Sequence, residues 1–171
     1  MAELRKKLHK NTAGFSLSEV LVSVLIMSMV SILLVSGMRL VNGTYRKSVD
    51  KANAETLLST TVTELRNKIA FADAVYVNDD SIGYRSSKGV SYEICNSDEG
   101  ITLLTYGGTS SSSRALVSDE AAADLLSSFS GAAVNSTDGT LTIKNLQVRR
   151  IGDTSPLSSI DELVIRVQGV K

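Results

Sequence analysis

The chain has 171 residues, of which 43% are hydrophobic, and this size suits one small domain with an appendage and excludes two full domains. Its 18 Lys and Arg residues equal its 18 Asp and Glu residues, so the overall charge gives no reason to expect a nucleic-acid or anionic-membrane partner. Cys95 is the only cysteine and His9 the only histidine, which excludes an intrachain disulfide and argues against Cys/His and Ser/His catalysis.

The N-terminal region combines a basic segment with a long apolar one. Residues 1–14 are polar and mainly basic, and residues 15–38 are mainly apolar with Glu19 as their only charged residue. The apolar run is long enough to cross a bilayer as one helix, which takes about 20 residues. A core helix of a soluble protein fits less well, because the run has no polar face. A charged side chain in a membrane segment is costly unless it is paired, so Glu19 requires a partner.

A secretory signal peptide is the alternative interpretation of this region. Such a peptide also combines a basic start with an apolar run, and Val35-Ser36-Gly37 is a weak match to its cleavage site. The run exceeds the usual signal length of about 7 to 15 residues, which favours an anchor that is retained. Basic residues flank both ends of the run, so charge alone leaves open which end lies in the cytoplasm.

A second helical pattern follows the apolar run. In residues 39–73 apolar side chains recur at steps of three and four, which predicts an amphipathic helix that extends the first one. We expect its apolar stripe to cover one face of the domain that follows. The C-terminal part of this stripe comprises Leu58, Val62, Leu65, Ile69 and Ala72.

Residues 74–171 predict a β domain, because the hydrophobic period changes to two. Short connections between the first predicted strands indicate an antiparallel meander, and Cys95 is interpreted as a small buried residue of its third strand. The predicted class is α+β, with a long N-terminal helix, transmembrane and then amphipathic, packed on an antiparallel β-sheet. The predicted elements are strands at 74–78, 82–86, 90–96 and 101–107, a Ser-rich loop at 109–113, a weak helix at 119–129, an irregular connection at 131–139, and strands at 140–150 and 162–168, with Pro156 in the loop between the last two.

The start of the apolar run carries a recognisable motif. The stretch Gly14-Phe15-Ser16-Leu17-Ser18-Glu19 follows the basic segment and leads directly into the apolar helix. In this order of features the chain resembles the type IV prepilins and pseudopilins. The resemblance implies a pilin-like fold and cleavage by a membrane prepilin peptidase between Gly14 and Phe15. It further implies that residues 1–14 are a cytoplasmic leader and that the new amine of Phe15 is N-methylated.

The resemblance also gives Glu19 a partner. In the family model, the glutamate of an incoming subunit neutralises the terminal amine of a neighbour that is already assembled, so Phe15 and Glu19 are implied to be the assembly residues. Within one chain, the amine and the helix dipole would both stabilise the carboxylate. The implied location is the bacterial cytoplasmic membrane, with a single span and an extracytoplasmic β domain that reaches the cell surface in a pilus or pseudopilus.

Three departures from the common family pattern narrow the implied function. Ser18 replaces the aliphatic residue that usually precedes the glutamate, no proline interrupts the apolar helix, and no cysteine pair is present. The last two departures favour a minor pilin or pseudopilin. The resemblance implies a structural subunit of a type IV pilus, a type II secretion pseudopilus or a DNA-uptake pseudopilus. Its implied partners are prepilin peptidase, other pilin subunits and, indirectly, the assembly platform and ATPase; the alternative is a membrane-anchored exported binding domain that never polymerises.

Catalytic and nucleic-acid sites are weakly indicated. No nucleophile, metal-ligand set or acid/base pair stands out, so we expect no enzymatic activity, no metal and no cofactor. Arg149 and Arg150, with Lys144 and Arg166 nearby, could form a small basic patch for DNA. Acidic residues lie among them and no aromatic residues are interleaved for base stacking, so solvated charges on a strand face are the favoured interpretation.

Overall fold

The computed structural model describes residues 16–78, 81–107, 110–118 and 124–169. The chain divides into two compact units, Met1–Arg46 and Lys47–Lys171. One helix, α1 (Leu17–Ile69), contributes residues to both units and is continuous through Asn42 and Gly43. The predicted α+β class is confirmed, because α1 is followed by antiparallel sheets on which its C-terminal part packs.

The described part of the first unit is entirely helical after Ser16. All its residues are exposed, including large apolar side chains such as Leu33 and Leu40, which are 72% and 74% exposed. Two of its serines bond back into the helix: the Ser23 hydroxyl donates to the Glu19 carbonyl and the Ser31 hydroxyl to the Met27 carbonyl, both at 2.8 Å. These bonds satisfy hydroxyl groups within an otherwise apolar helix surface.

In the second unit, α1 buries one stripe of side chains. The hydroxyl of Thr61 is satisfied inside this stripe by the Leu57 carbonyl at 2.8 Å. The prediction of a buried stripe is confirmed for the C-terminal part of residues 39–73, although Ala72 belongs to the first strand and Val62 is only partly buried. It is wrong for the N-terminal part, where Val41 and Tyr45 are exposed. The buried residues of α1 are Ala54, Leu57, Leu58, Thr61, Leu65 and Ile69.

The helix ends at Ile69, before the predicted limit at residue 73. The N–H of Ala70 closes the last turn on the Arg66 carbonyl at 2.9 Å. The carbonyl of Ala70 accepts a hydrogen bond from the N–H of Gln168 at 2.9 Å. This contact with the chain beyond the last strand is remote in sequence, so local periodicity could not have located the helix end.

The first sheet is an antiparallel meander of five strands in chain order. The four predicted strands are present with small shifts of their ends, and Gly89 and Gly100 occupy turn positions with φ of 79° and 103°. The predicted Ser-rich loop at 109–113 is wrong within the described residues, because Ser110–Ala115 pairs with the preceding strand. The strands are β1 (Ala72–Asn78), β2 (Ser81–Ser86), β3 (Ser91–Ser97), β4 (Gly100–Gly107) and β5 (Ser110–Ala115).

The second sheet is organised around its longest central strand. Two short strands pair with successive halves of one edge of this strand, and the last strand pairs with its other edge. The interruption between the two short strands lies near Asn145, which has a φ of 48°. The strands are β6 (Leu125–Ser128), β7 (Gly131–Asn135), β8 (Thr140–Arg150) and β9 (Pro156–Arg166).

Three predictions for this region are corrected. The weak helix predicted at 119–129 contains strand β6 in its described part, and the irregular connection predicted at 131–139 contains strand β7. Both strands are short, at four and five residues, and each pairs with the longer strand β8. Pro156 begins β9 instead of lying in the preceding loop, a position at which a strand tolerates proline.

The core of the second unit lies between the helix stripe and the two sheets. Ile82 and Ile94 from the first sheet and Ile143 from the second are fully buried. The side chain of Asn96 joins the sheets: its Nδ2 donates to the Phe129 carbonyl at 2.7 Å, and its Oδ1 accepts from the Phe129 N–H at 3.1 Å. The amide thus pairs with the backbone of Phe129 just after β6 ends.

Candidate functional site

The first turn of α1 brings the carboxylate of Glu19 back to the backbone of Ser16. The Glu19 N–H donates to the Ser16 hydroxyl at 3.3 Å, and the Ser16 N–H donates to Glu19 Oε2 at 3.4 Å. This reciprocal pair is a capping box, which satisfies N–H groups that the start of a helix leaves without partners. The sequence analysis missed this role, although the Ser-x-x-Glu spacing signals it.

The capping box does not saturate Glu19. The side chain is exposed, and among the described residues only Ser16 donates to its carboxylate. The second oxygen, Oε1, is therefore available to a cation from outside the described chain. An N-terminal amine of a neighbouring subunit is a cation of the kind that the sequence analysis assigned to Glu19.

The predicted processing residues Gly14 and Phe15 lie outside the described residues. The predicted cleavage between them and the pairing of the Phe15 amine with Glu19 stay predictions. The helix that begins two residues after Phe15 is long and apolar enough to cross a membrane, and the apolar window that meets this test has none of its residues buried. Glu19 thus sits at the N-terminal end of an apolar helix surface.

The N-terminal motif matches a known family model. A model described as the prokaryotic N-terminal methylation motif matches residues 9–35, a segment that contains Gly14, Phe15 and Glu19. Together with one long N-terminal helix packed on antiparallel sheets, the match supports a type IV pilin-like protein. The motif supports placing the chain in the type IV prepilin and pseudopilin family and confirms the resemblance found in the sequence. No curated protein and no solved structure matches the chain.

The motif has consequences for processing and location. It supports processing by a prepilin peptidase and implies assembly with other pilin subunits. Together with the apolar helix, it fits a membrane-anchored protein that is assembled into a pilus-like structure.

The predicted basic patch is partly neutralised. Arg150 forms an ion pair with Asp50 at 2.6 Å, and an Arg149 nitrogen donates to the Asp153 carbonyl at 3.3 Å. Lys144 is paired in register with Glu162 across β8 and β9. These partners favour the interpretation as solvated strand-face charges over a DNA site.

Cys95 lies in β3, as predicted, and is partly buried, with its Sγ 3.3 Å from Thr102 Oγ1. Within the described residues, no group of three or more His, Cys, Asp or Glu side chains is arranged to hold a metal ion.

A groove of about 510 Å³ lies between the end of α1 and the first sheet. Part of its lining is a stacked pair of rings, Tyr84 and Tyr92, with centroids 5.0 Å apart and planes 13° apart. Burial raises the pKa of Tyr84 to about 12, and Tyr92 adds to this rise. Two cations, Lys68 and Arg114, also line the groove. Sequence reasoning missed the groove, because its residues come from α1 and four separate strands.

A polar cluster occupies the same sheet around Glu93. The carboxylate accepts hydrogen bonds from the Ser81 hydroxyl at 2.5 Å and from the Tyr106 hydroxyl at 2.6 Å. These bonds lower the pKa of Glu93 below its ordinary value of 4.5. The hydrogen bond between Tyr106 and Glu93 also raises the pKa of the Tyr106 hydroxyl. Nearby, the ring of Tyr76 lies over Gly83, where a Cβ would collide with it.

Removing the Tyr106 hydroxyl is expected to raise the pKa of Glu93. Because the pKa of Glu93 is lower in the folded chain than in the unfolded one, the stability that these bonds contribute is present above about pH 4.5 and is lost as the pH falls through the folded value. In Tyr106→Phe, the carboxyl ¹³C signal of Glu93 should titrate closer to 4.5. The matched control is Tyr76→Phe, which removes a neighbouring hydroxyl that makes no hydrogen bond to Glu93 and should leave the titration unchanged. Equal shifts in the two variants would contradict the assignment.

Proposed function

We propose that the chain is a minor pilin or pseudopilin, a structural subunit assembled through α1 into a type IV pilus, a type II secretion pseudopilus or a DNA-uptake pseudopilus. The observation that carries the proposal is the exposed apolar start of α1 with Glu19 in its first turn. Such a helix needs either lipid or other helices around it, and its one carboxylate needs a cation. Neighbouring processed subunits would supply both requirements.

The proposed topology places residues 1–14 in the cytoplasm, residues 15–38 in the membrane, and residues 39–73 and 74–171 outside. Its partners are prepilin peptidase, other pilin or pseudopilin subunits and, indirectly, the assembly platform and ATPase. The proposed role is structural and not enzymatic. The capping box adds a second use for Glu19, since it fixes the start of the helix next to the predicted new N-terminus.

The first experiment is to determine the N-terminal sequence and intact mass of the protein from cells with and without the prepilin peptidase. We expect a start at Phe15, with or without one added methyl group, only in cells that contain the peptidase. The strain that lacks the enzyme is the matched control, because the chain is identical in both. An unprocessed N-terminus in both strains, or a cut near Gly37 in both, would reject prepilin processing.

A further inference from the structure

Strand β5 forms an open edge of the first sheet. It pairs with β4 on one side, and no strand among the described residues pairs with its other side. The opposite edge of the sheet differs, because Gly169 lies against the backbone of Ala72 in β1. Exposed edges are normally protected by lysine, proline or a bulge, but β5 consists of four serines, Arg114 and Ala115 in regular register. Small side chains leave its backbone accessible.

The pairing with β4 determines which backbone groups face outward. The N–H of Leu116, directly after β5, donates to the Ile101 carbonyl at 2.8 Å. Bonded and non-bonded pairs alternate along an antiparallel ladder, so Arg114 and Ser112 bond inward to β4. Ser111, Ser113 and Ala115 therefore direct their N–H and C=O groups away from β4, toward the place that a sixth strand would occupy.

The groove lies beside this edge, and its positively charged lining favours an acidic ligand. Ser112 and Arg114 of β5 line it, together with Lys68 of α1, and none of the described residues that line it is acidic. Lys68 has Glu64 as a partner at 3.5 Å, whereas no carboxylate among the described residues forms an ion pair with Arg114. Arg114 is exposed, so its charge is available to a ligand that lies along β5.

We propose that β5 binds an extended segment of a partner protein by strand addition, and that an acidic side chain of this segment pairs with Arg114. Main-chain hydrogen bonds to Ser111, Ser113 and Ala115 supply affinity, and alternate side chains of the added strand turn toward the groove and supply specificity. A carboxylate matches the guanidinium of Arg114 in charge and geometry. This binding role goes beyond the proposed function and needs neither processing nor polymerisation of the chain.

The test uses the full chain in detergent micelles and a fluorescent synthetic peptide of alternating Thr and Val residues with one central Asp. Binding is measured by anisotropy. Ser113→Pro removes one outward N–H without removing a bond to β4, because an edge strand tolerates proline at such a position. We expect it to weaken binding at least about tenfold, whereas the matched control Ser113→Ala should bind like the parent chain. Thermal unfolding of both variants verifies that the sheet is intact.

A second pair of measurements separates the contribution of the Arg114 charge from that of the main-chain hydrogen bonds. Arg114→Ala should weaken binding of the Asp peptide at least about fivefold and leave binding of the matching Asn peptide unchanged. A peptide N-methylated at the residues that face β5 should fail to bind. The proposal is overturned if the parent chain does not bind the peptide, if N-methylation or Ser113→Pro has no effect, or if the chain associates with itself through Ser113, which would make a second copy the occupant.

Discussion

Substituting Glu19→Ala is expected to lower the amount of the chain in pilus-like assemblies at least about tenfold, while cleavage before Phe15 continues. A tenfold loss corresponds to about 1.4 kcal/mol, which is less than the cost of leaving a charge unpaired in an apolar environment. The substitution removes the carboxylate that would pair with the neighbouring terminal amine. The measurement is an immunoblot of sheared surface material against whole cells, with N-terminal sequencing of the cellular pool.

Because Glu19 also forms the capping box, a control must separate the loss of its charge from the loss of its hydrogen bond. Glu19→Ala removes both the charge and the hydrogen bond to the Ser16 N–H. Glu19→Gln removes the charge alone, because a glutamine at this position can still complete a capping box. We expect the glutamine variant to fail in assembly as the alanine variant does. If instead it assembles like the parent chain, helix capping and not charge neutralisation explains Glu19.

The second large effect is expected in the core of the β domain. Ile143 is fully buried in β8, and Ile143→Ala should lower the free energy of unfolding by about 2 to 5 kcal/mol, because it removes buried methyl groups and leaves a cavity. The matched control is Ile151→Ala, since Ile151 is 58% exposed and lies just beyond the end of β8. The control should change the free energy of unfolding by less than about 0.5 kcal/mol.

The measurement is urea unfolding of the full chain in detergent micelles, followed by the near-UV circular dichroism of tyrosine. The chain has five tyrosines and no tryptophan, and the stacked pair Tyr84 and Tyr92 provides a signal from the folded second unit. If both isoleucine variants lose the same stability, the core does not lie where the structure places it.

The parts of the fold with strong periodicity could be predicted from the sequence. The apolar run is recognisable by its length and composition. The stripe that contains Leu65 and Ile69 follows from apolar side chains spaced three and four residues apart, and the four strands of the first meander follow from a hydrophobic period of two. The strands β5, β6 and β7 could not be predicted, because they are short and many of their residues, such as the serines of β5 and the alanines of β7, have weak strand preferences. Pairing with the longer strands β4 and β8 determines their conformation.

The candidate sites likewise comprise one that could be predicted from the sequence and two that could not. The motif from Gly14 to Glu19 is contiguous, so the sequence alone identified it, and its Ser-x-x-Glu spacing also contained the capping box. The groove brings Lys68 near Arg114, and the Glu93 cluster brings Ser81 near Tyr106. Such groups are remote in sequence and meet only through strand register and the packing of α1 on the sheet, which a single sequence does not provide.

The exposed surface of α1 limits where a lone copy of this chain can exist. Its large apolar side chains have no cover within the described chain, so transferring this segment from lipid to water would be opposed by about 25 cal/mol for each Å² of apolar surface that becomes wet. In the proposed membrane-anchored topology, a free monomer outside the bilayer is therefore strongly disfavoured. If the chain is assembled as proposed, its route out of the membrane exchanges lipid for protein contacts, and departure from the bilayer and capture by a neighbour become a single event.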